Sequence, residues 1–489
     1  MIPIVTSAEM RAIDAEALRR TSESTLVARA GTAVGHQAIR MMGGAYGRRV
    51  FVLAGKGNNG ADGRCAARLL AARGAKVRVV PPDEAPLRIE RPVDLVVDAA
   101  YGTGFHGELH APAVDPGIPV LAVDIPSGVS ADTGEALGEP LAADRTVTFG
   151  ALKPGLVQWH GRRLAGSIVL AGIGLDVSRA RMGLVEDSDV VSRLAERPLD
   201  AHKWSSAVLV VAGSPGMLGA ARFAASGASR AGAGMVRLGV PGCPPGDLPA
   251  GEAVGEHLAG EGWAPRVLEI SRRCRSIVIG PGLGRSEDLA AQLRELIAGA
   301  QVPVVVDADG LAALGSGACL AQTVSSCPSV RVLLTPHDGE YERLAGHPPG
   351  PDRIAAAVEL AGASGATVLL KGPTTVVASP QGQVMVVTAG SPRLATAGTG
   401  DVLSGMIGAF LARSVEPPLG AAALAAHVHA RAAGLGMAEG LLAHDLPELV
   451  ASWLSAVREG SPAGETGAAG VAGFAGLPVP GGQSGEWGR

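Results

Sequence analysis

Two kinds of apolar pattern alternate along this chain. Short uninterrupted runs such as RRVFVLAG (48–55), VRVV (77–80), DLVVDAA (94–100) and VLAVD (120–124) read as buried strands, most of them ending at a turn with glycine or proline. Between them lie stretches with apolar positions three or four apart, the helical spacing, at 8–20 and at RCAARLLAARG (64–74). A second series follows: AVLVVAGS (207–214), MVRLGVP (235–241), SIVIGPGLG (276–284), VPVVVDADG (302–310), RVLLTPHDGE (331–340) and ATVLLKGPTTVVAS (366–379). It closes in a helix-rich end over 401–458. This alternation predicts an α/β fold with largely parallel sheets, whose ligands bind beyond the carboxyl ends of the strands.

Around 178–198 the rhythm loosens into SRARMGLVEDSDVVSRLAERP. The expected organisation is one domain over 1–178, a linker over 179–198, a second domain over 199–460, and a tail over 461–489. The tail is rich in Gly, Pro, Ala and Ser without periodicity and is expected to be disordered. The halves share no repeated motif order, so the pattern is a fusion. The length of 489 residues fits two to three domains.

Composition narrows the function. Lys+Arg number 42 against Asp+Glu 46, so the basic excess expected of a nucleic-acid or anionic-membrane binder is missing. The five cysteines (Cys65, Cys243, Cys274, Cys319, Cys327) show no C-x-x-C spacing, which argues against a disulfide framework or a zinc knuckle. The opening MIPIVTSAEMRAIDAE carries charge too early for a signal peptide, and no apolar run reaches about 18 residues. A cytoplasmic protein is expected. Asparagine occurs only twice, as the adjacent pair Asn58–Asn59, and lysine only five times, four of them (Lys56, Lys153, Lys203, Lys371) in motif-like places. Residues that survive such depletion are expected to be held for chemistry.

The first constellation is GKGNNGADG (55–63), followed by the acidic strand ends Asp98 and Asp124 and by Ser127 in DIPSG. Clustered glycines let several backbone N–H groups face one anion. The loop is not G-x-x-x-x-G-K-[ST], so a nucleoside-triphosphate P-loop is not supported. The residue about 20 beyond a dinucleotide fingerprint is Lys76 and not an acid, which argues against a hydride-transferring enzyme. Asn59, Asp98 and Ser127 together could form an oxygen cage for a monovalent cation, the alternative being separate helix caps and turns.

GNNGADG, DAAYGTGFHGE (98–108), DIPSG (124–128), TFGALKPGL (148–156) and the opening SAEMRAID (7–14) resemble the YjeF N-terminal domain, the NAD(P)H-hydrate epimerases, over about 1–178. The resemblance implies a Rossmann-like three-layer fold. It implies substrate contacts from Asn58, Asn59, Gly60, Ala61, Asp62, Gly102, Thr103, Gly104, Phe105, His106, Gly107, Glu108 and Asp124, and K⁺ held by Asn59, Asp98 and Ser127. Ala61 stands where the family usually has glycine. Interconverting R and S configurations at a hydrated ring carbon needs a proton donor–acceptor, for which Asp124 is the expected residue; His106 is the weaker candidate.

The second constellation is LATAGTGDVLSG (394–405). The amides of Gly398, Thr399 and Gly400 should form an anion hole at a helix N-terminus, with Asp401 placed to take a proton from a hydroxyl. KGPTTVV adds Lys371, Gly372, Pro373, Thr374 and Thr375. TPHDGE adds His337, and GPGLG adds Gly282. Asp307 and Asp309 in DADGL read equally as helix caps or as Mg²⁺ or substrate contacts. His427 and His429, two apart, face different sides of a helix and make a poor metal pair.

Together with HKWSSAVLVVAGS, these segments resemble the NAD(P)H-hydrate dehydratase branch of the ribokinase-like α/β superfamily over about 199–460. The resemblance implies phosphorylation of the hydrate hydroxyl followed by elimination, with Mg²⁺ and ADP as phosphoryl donor. It also implies nucleotide contacts from Lys371–Thr375 and Gly400, and hydrate contacts from Gly282, His337, Asp401 and Ala220. Trp204, Ala207, Asp338 and Ala397 depart from the family pattern. The expected function is bifunctional: epimerisation of NADHX and NADPHX, then ADP-dependent dehydration of the S form, in a homo-oligomer. The alternatives are a ribokinase-type small-molecule kinase fused to a ligand-binding module, and a non-catalytic N-terminal interaction module.

Overall fold

The computed structural model describes residues 1–248, 251–326, 331–413, 416–460 and 472–473. The chain forms two compact units. The smaller comprises 6–156 with 160–179 and 469–489; the larger comprises 1–5, 157–159 and 180–468.

The smaller unit is built on parallel strands in the order Ser167–Ala171, Arg145–Phe149, Val120–Val123, Leu95–Ala99, Arg49–Ala54 and Lys76–Val80. Leu95–Ala99 and Val120–Val123 are buried along their whole length, as unbroken apolar runs require when both faces of a parallel sheet are covered. Helices Glu23–Met42 and Asn58–Ala72 pack together on this sheet through Val34, Ala38, Ala66 and Leu70. Glu23–Met42 escaped the sequence reading because alanines and glycines thin out its apolar stripe. The helix Ser7–Ala17 starts at a capping box, Thr6 with Glu9, and Ser7 is anchored on Asp132 by N–H and hydroxyl bonds of 2.7 and 2.5 Å.

The larger unit carries an eleven-stranded sheet. Seven strands are parallel, in the order Val254–Glu256, Met235–Gly239, Ala207–Val211, Ser276–Ile279, Val304–Val306, Val332–Leu334 and Thr367–Leu370. Thr375–Ala378 and Val384–Val387 extend it in antiparallel fashion. Helices Leu218–Arg230 and Thr399–Arg413 cross at backbone contact. A Cβ on Gly405 would lie 1.9 Å from the Ala224 carbonyl, and one on Gly227 would lie 2.3 Å from that of Val402. These glycines set how the Asp401 helix seats on its neighbour. Trp204, in a family glycine position, is stacked under Arg273 with the guanidinium 3.9 Å from the ring centroid.

Two domain expectations are corrected. The charged stretch expected as a linker over 179–198 is folded: Met182–Leu184 pairs in parallel with Val384–Val387, and Asp187–Arg193 is a helix with Val190 in the core. Its charges are used locally, Asp189 capping the helix and Asp187 binding His427 and Arg431 at 2.7 Å. Nor does the N-terminal domain begin at residue 1. Ile2–Ile4 pairs antiparallel with Met182–Leu184 at the edge of the large sheet. A three-residue strand is too short to show a period. The tail 461–489 and Cys327 lie outside the described residues, except that Ala472–Gly473 pairs with Val169–Leu170.

Candidate functional site

In the smaller unit the segment expected as a loop is shorter than the glycines suggest. Gly57 is the N-cap, and Asn58 already opens the helix Asn58–Ala72, so Asn58–Asp62 present side chains from its first turns. Gly60 makes this placement possible. A Cβ there would fall 1.8 Å from the Gly55 carbonyl. Ala61, where the family pattern has glycine, sits in the helix at no positive φ. Gly60→Ala should therefore cost about 3 kcal/mol and lower the melting temperature of this unit by roughly 6–12 °C. Ala61→Gly should change it by no more than the helix cost of glycine, about 1 kcal/mol. Differential scanning calorimetry separates the two.

A cavity of about 950 Å³ opens at the carboxyl ends of these strands. Of the residues expected at the substrate, Asn58, Asn59, Asp62, Gly102, Thr103, Gly104, Phe105, His106 and Asp124 line it. Gly60, Ala61, Gly107 and Glu108 do not; the first two form the wall's backbone support, and the last two are outward-facing loop residues. The rings of Tyr101 and Phe105 pack against each other at 4.6 Å between centroids, tilted by 40°.

Asp124 follows strand Val120–Val123 with φ 66°, a left-handed conformation that costs a non-glycine residue about 1–3 kcal/mol and is tolerated where the surroundings enforce it. The enforcing group is Lys153. It is 1% exposed, its Nζ lies 2.5 Å from Asp124 Oδ1, and it also donates to Thr148 Oγ1 at 2.8 Å. Lys153 lies within TFGALKPGL, and its survival in a lysine-poor chain is the sequence signal that marks it, although nothing local assigns it to Asp124. Asp14, on the first helix, also lines the cavity and was missed. Burial pushes its carboxyl above the usual range, against the pull of Lys153. Asp62 is pushed up to about 8 by burial and by the nearby carboxylates of Asp124 and Asp14.

The cation set converges as well. Asp98, 2% exposed, accepts bonds from the Ser127 hydroxyl at 2.6 Å and the Ser127 N–H at 2.8 Å. Asn59 donates its Nδ2 to the Tyr101 carbonyl at 2.8 Å, and this leaves its Oδ1 buried with no hydrogen-bond partner among the described residues. Burial drives the Asp98 carboxyl upward. An orphaned amide oxygen beside a buried carboxylate and a hydroxyl is the donor set a hard monovalent cation requires.

In the larger unit the motifs meet around Lys371. Its Nζ lies 2.9 Å from Asp307 Oδ1 and 3.7 Å from Glu340 Oε2, and a Cβ on Gly400 would approach it to 3.8 Å. Asp307 also accepts the hydroxyl of Ser404 on the Asp401 helix. Asp309 accepts the Gly284 N–H at 2.9 Å, tying DADG to GPGLG. Neither aspartate caps the helix Asp309–Leu314, whose N-cap is Ala308 at φ 50°. Burial alone would raise Asp307, but the ammonium of Lys371 and its hydrogen bonds prevail and hold it below the usual range. Asp401 is pushed up to about 7, by burial first and then by the negative charge of Asp307.

Ala220 and Gly282 adjoin: a Cβ on Gly282 would lie 2.8 Å from the Ala220 methyl. His337 is the N-cap of Asp338–Ala345, its Nδ1 accepting the Gly339 and Glu340 N–H bonds at 3.1 and 3.3 Å, with Nε2 3.4 Å from Glu340 Oε1. Thr374 is turned away from a nucleotide, fully buried with its hydroxyl donated to the Val157 carbonyl at 2.7 Å. Only its backbone can serve the KGPTT loop. Arg353, missed in the sequence, braces that loop by donating to the Lys371 carbonyl at 2.7 Å while pairing with Asp338 at 2.8 Å. The aspartate that replaces a family proline thus has a partner. His427 and His429 do diverge, His427 to Asp187 and His429 to the Thr399 backbone.

Known proteins resemble both units. The NAD(P)H-hydrate dehydratase family pattern matches residues 208–454, and that of the YjeF-related protein N-terminus matches 23–90 and 80–155. A Mycobacterium tuberculosis (strain CDC 1551 / Oshkosh) protein, bifunctional NAD(P)H-hydrate repair enzyme Nnr, is 39% identical over 448 residues, covering 85% of this chain and 89% of the relative. The protein of the same name from Salinibacter ruber is 34% identical over 505 residues, covering 88% and 91%. A ribokinase-like superfamily protein from Enterococcus faecalis V583 shares the fold of the larger unit, with a TM-score of 0.50 at 23% identity, over 57% of this chain and 96% of that one.

Proposed function

We propose that this chain, which belongs to the family of bifunctional NAD(P)H-hydrate repair enzymes, epimerises the R and S hydrates of NADH and NADPH in its smaller unit and dehydrates the S form in its larger one. The observation that carries the reading is an aspartate beside a lysine in each of two separate sites, one just after a strand of the smaller unit and one in the first turn of a helix of the larger. Asp124 is paired with Lys153, and Asp401 lies in the field of Lys371. A kinase fused to a sensing module would have no need of the first pair.

Dehydration begins with activation of the hydrate's hydroxyl. Asp401 takes the hydroxyl proton as the oxygen attacks the terminal phosphoryl group of ADP. The first-turn amides at Thr399 and Gly400 and the Lys371 ammonium face the charge that develops on that group. The carbon–oxygen bond then breaks with its electron pair leaving on phosphate while the nitrogen lone pair forms an iminium, and loss of a proton from the neighbouring ring carbon to the released phosphate or to water restores the double bond of the dihydropyridine. Asp307 and Ser404 hold Lys371 against the Asp401 helix, so the cation and the base move as one piece. Among the described residues no group of three or more His, Cys, Asp or Glu converges to hold a metal. Mg²⁺ would enter on the nucleotide phosphates, where it would neutralise their charge. In the smaller unit Asn59, Asp98 and Ser127 would hold K⁺, which offsets the buried Asp98 carboxylate.

A base must be ionised. With Asp401 raised to about 7, kcat/KM for dehydration is expected to climb about tenfold per pH unit below that value and to level off above it. Initial rates of dihydronicotinamide absorbance recovery against pH, in saturating nucleotide, check this. The reading itself is tested with purified chain, Mg²⁺ and a mixed-epimer hydrate, supplied with ADP, ATP or neither. Recovery of the whole pool with ADP, and formation of AMP in equal amount, is expected. Recovery without nucleotide, or none with either, would overturn it.

A further inference from the structure

The cavity of the smaller unit holds more acid than one proton transfer needs. Asp62 is 8% exposed, projects from the first turns of Asn58–Ala72, and lines the same cavity as Asp124. The two differ in what they touch. Asp124 is clamped by the Lys153 ammonium and the Thr148 hydroxyl. The Asp62 carboxyl has burial and two neighbouring carboxylates around it and no hydrogen bond among the described residues. Their parent strand ends, Ala54 and Val123, are separated in the sheet by Leu95–Ala99. Asp62 therefore enters the cavity from the helix that follows Arg49–Ala54 and Asp124 from the end of Val120–Val123, two different parts of its wall.

We propose that Asp62 is the second proton-transfer group of epimerisation, working with Asp124 as an acid–base pair on the two sides of the hydrated ring. This rests on the epimerase reading above. Water added across an enamine double bond places its oxygen on the carbon next to the ring nitrogen, so that carbon can expel it again. In one direction the Asp62 carboxyl gives its proton to the hydroxyl oxygen. The carbon–oxygen bond breaks with its electron pair leaving on oxygen as water, and the nitrogen lone pair forms the C=N bond of an iminium. A second water attacks the opposite face, a new carbon–oxygen bond forms, and the C=N π pair returns to nitrogen. The proton released by that water goes to Asp124. One water leaves, one enters, and one proton passes from Asp62 to Asp124; the reverse direction exchanges the two roles.

Opposed environments are what such a pair needs, one carboxyl kept protonated and the other charged. Burial and the charges of Asp124 and Asp14 favour the proton on Asp62 up to about pH 8. The charged or titratable groups facing the cavity besides Asp62 are Arg11, Asp14 and Glu23 from the two N-terminal helices, Lys56 and Asp83 from the segments after two strands, Tyr101, His106, Asp124 and Lys153. Epimerisation from the Asp62-protonated side should therefore fall away as pH rises past about 8.

The test follows interconversion of a single purified epimer by chromatography, with no nucleotide present so that dehydration is silent. Asp62→Asn should lower kcat by about 10²-fold or more with KM within about threefold of wild type. Asp14→Asn removes one of the carboxylates that raise Asp62 and should move the alkaline limb to lower pH. Asp62→Glu should keep part of the rate and the limb. An Asp62→Asn rate within threefold of wild type overturns the inference. Should that variant not fold, a limb that stays in place in Asp14→Asn does the same. A wild-type chain that leaves the epimer unchanged contradicts the epimerase reading itself, and not the assignment of Asp62 alone.

Discussion

Asp401→Asn is expected to lower nucleotide-dependent dehydration by about 10³-fold, within the range that a lost general base commands. The amide keeps the shape of the carboxylate at the first turn of Thr399–Arg413 but cannot take the hydroxyl proton. Asp401 is already disfavoured as an anion by burial and by Asp307, so its removal relieves charge repulsion and should leave the larger unit as stable as before or slightly more so. Nucleotide affinity, measured by calorimetry with ADP, should stay within a few-fold, because Lys371 and the loop amides are untouched. A loss of rate accompanied by loss of folding would show instead that Asp401 serves the helix.

The second large effect falls on the other unit. Asp124→Asn should reduce epimerisation by about 10²–10⁴-fold and also destabilise the smaller unit. The variant leaves Lys153, 1% exposed, without its counter-charge, and an uncompensated buried charge costs about 3–5 kcal/mol. The double variant Asp124→Asn/Lys153→Met removes both charges. It is expected to regain most of the melting temperature and none of the epimerisation, which a purely structural role for Asp124 would not allow.

Much of this was legible in the sequence because the informative residues sit where a strand stops. Unbroken apolar runs located the strands, and the polar residues at their ends, Asp98 within Leu95–Ala99, Asp124 after Val120–Val123 and Lys371 after Thr367–Leu370, each join a cluster of polar side chains. What escaped depends on distance through space. Nothing local joins Lys153 to Asp124, 29 positions apart, or Asp307 to Ser404, 97 positions apart. Thr374 looked like a nucleotide contact because a hydroxyl beside a lysine usually is one; only the fold reveals that its hydroxyl is spent on Val157. The stretch 179–198 looked like a linker because its strand is three residues long and its helix seven, both too short for a period to emerge. Ile2–Ile4 was hidden for the same reason.

The central claim is that one chain carries two independent sites acting in series. The most direct test mixes two disabled chains. Asp401→Asn alone should regenerate no dihydronicotinamide from a mixed-epimer hydrate with ADP and Mg²⁺. The Asp124→Asn/Lys153→Met chain alone should regenerate only the S share and then slow to the spontaneous rate of epimerisation. Combined, the two should recover the whole pool at a rate that rises with the amount of Asp401→Asn chain. A mixture that stops at the S share, or a double variant that recovers the whole pool by itself, would contradict the division of labour.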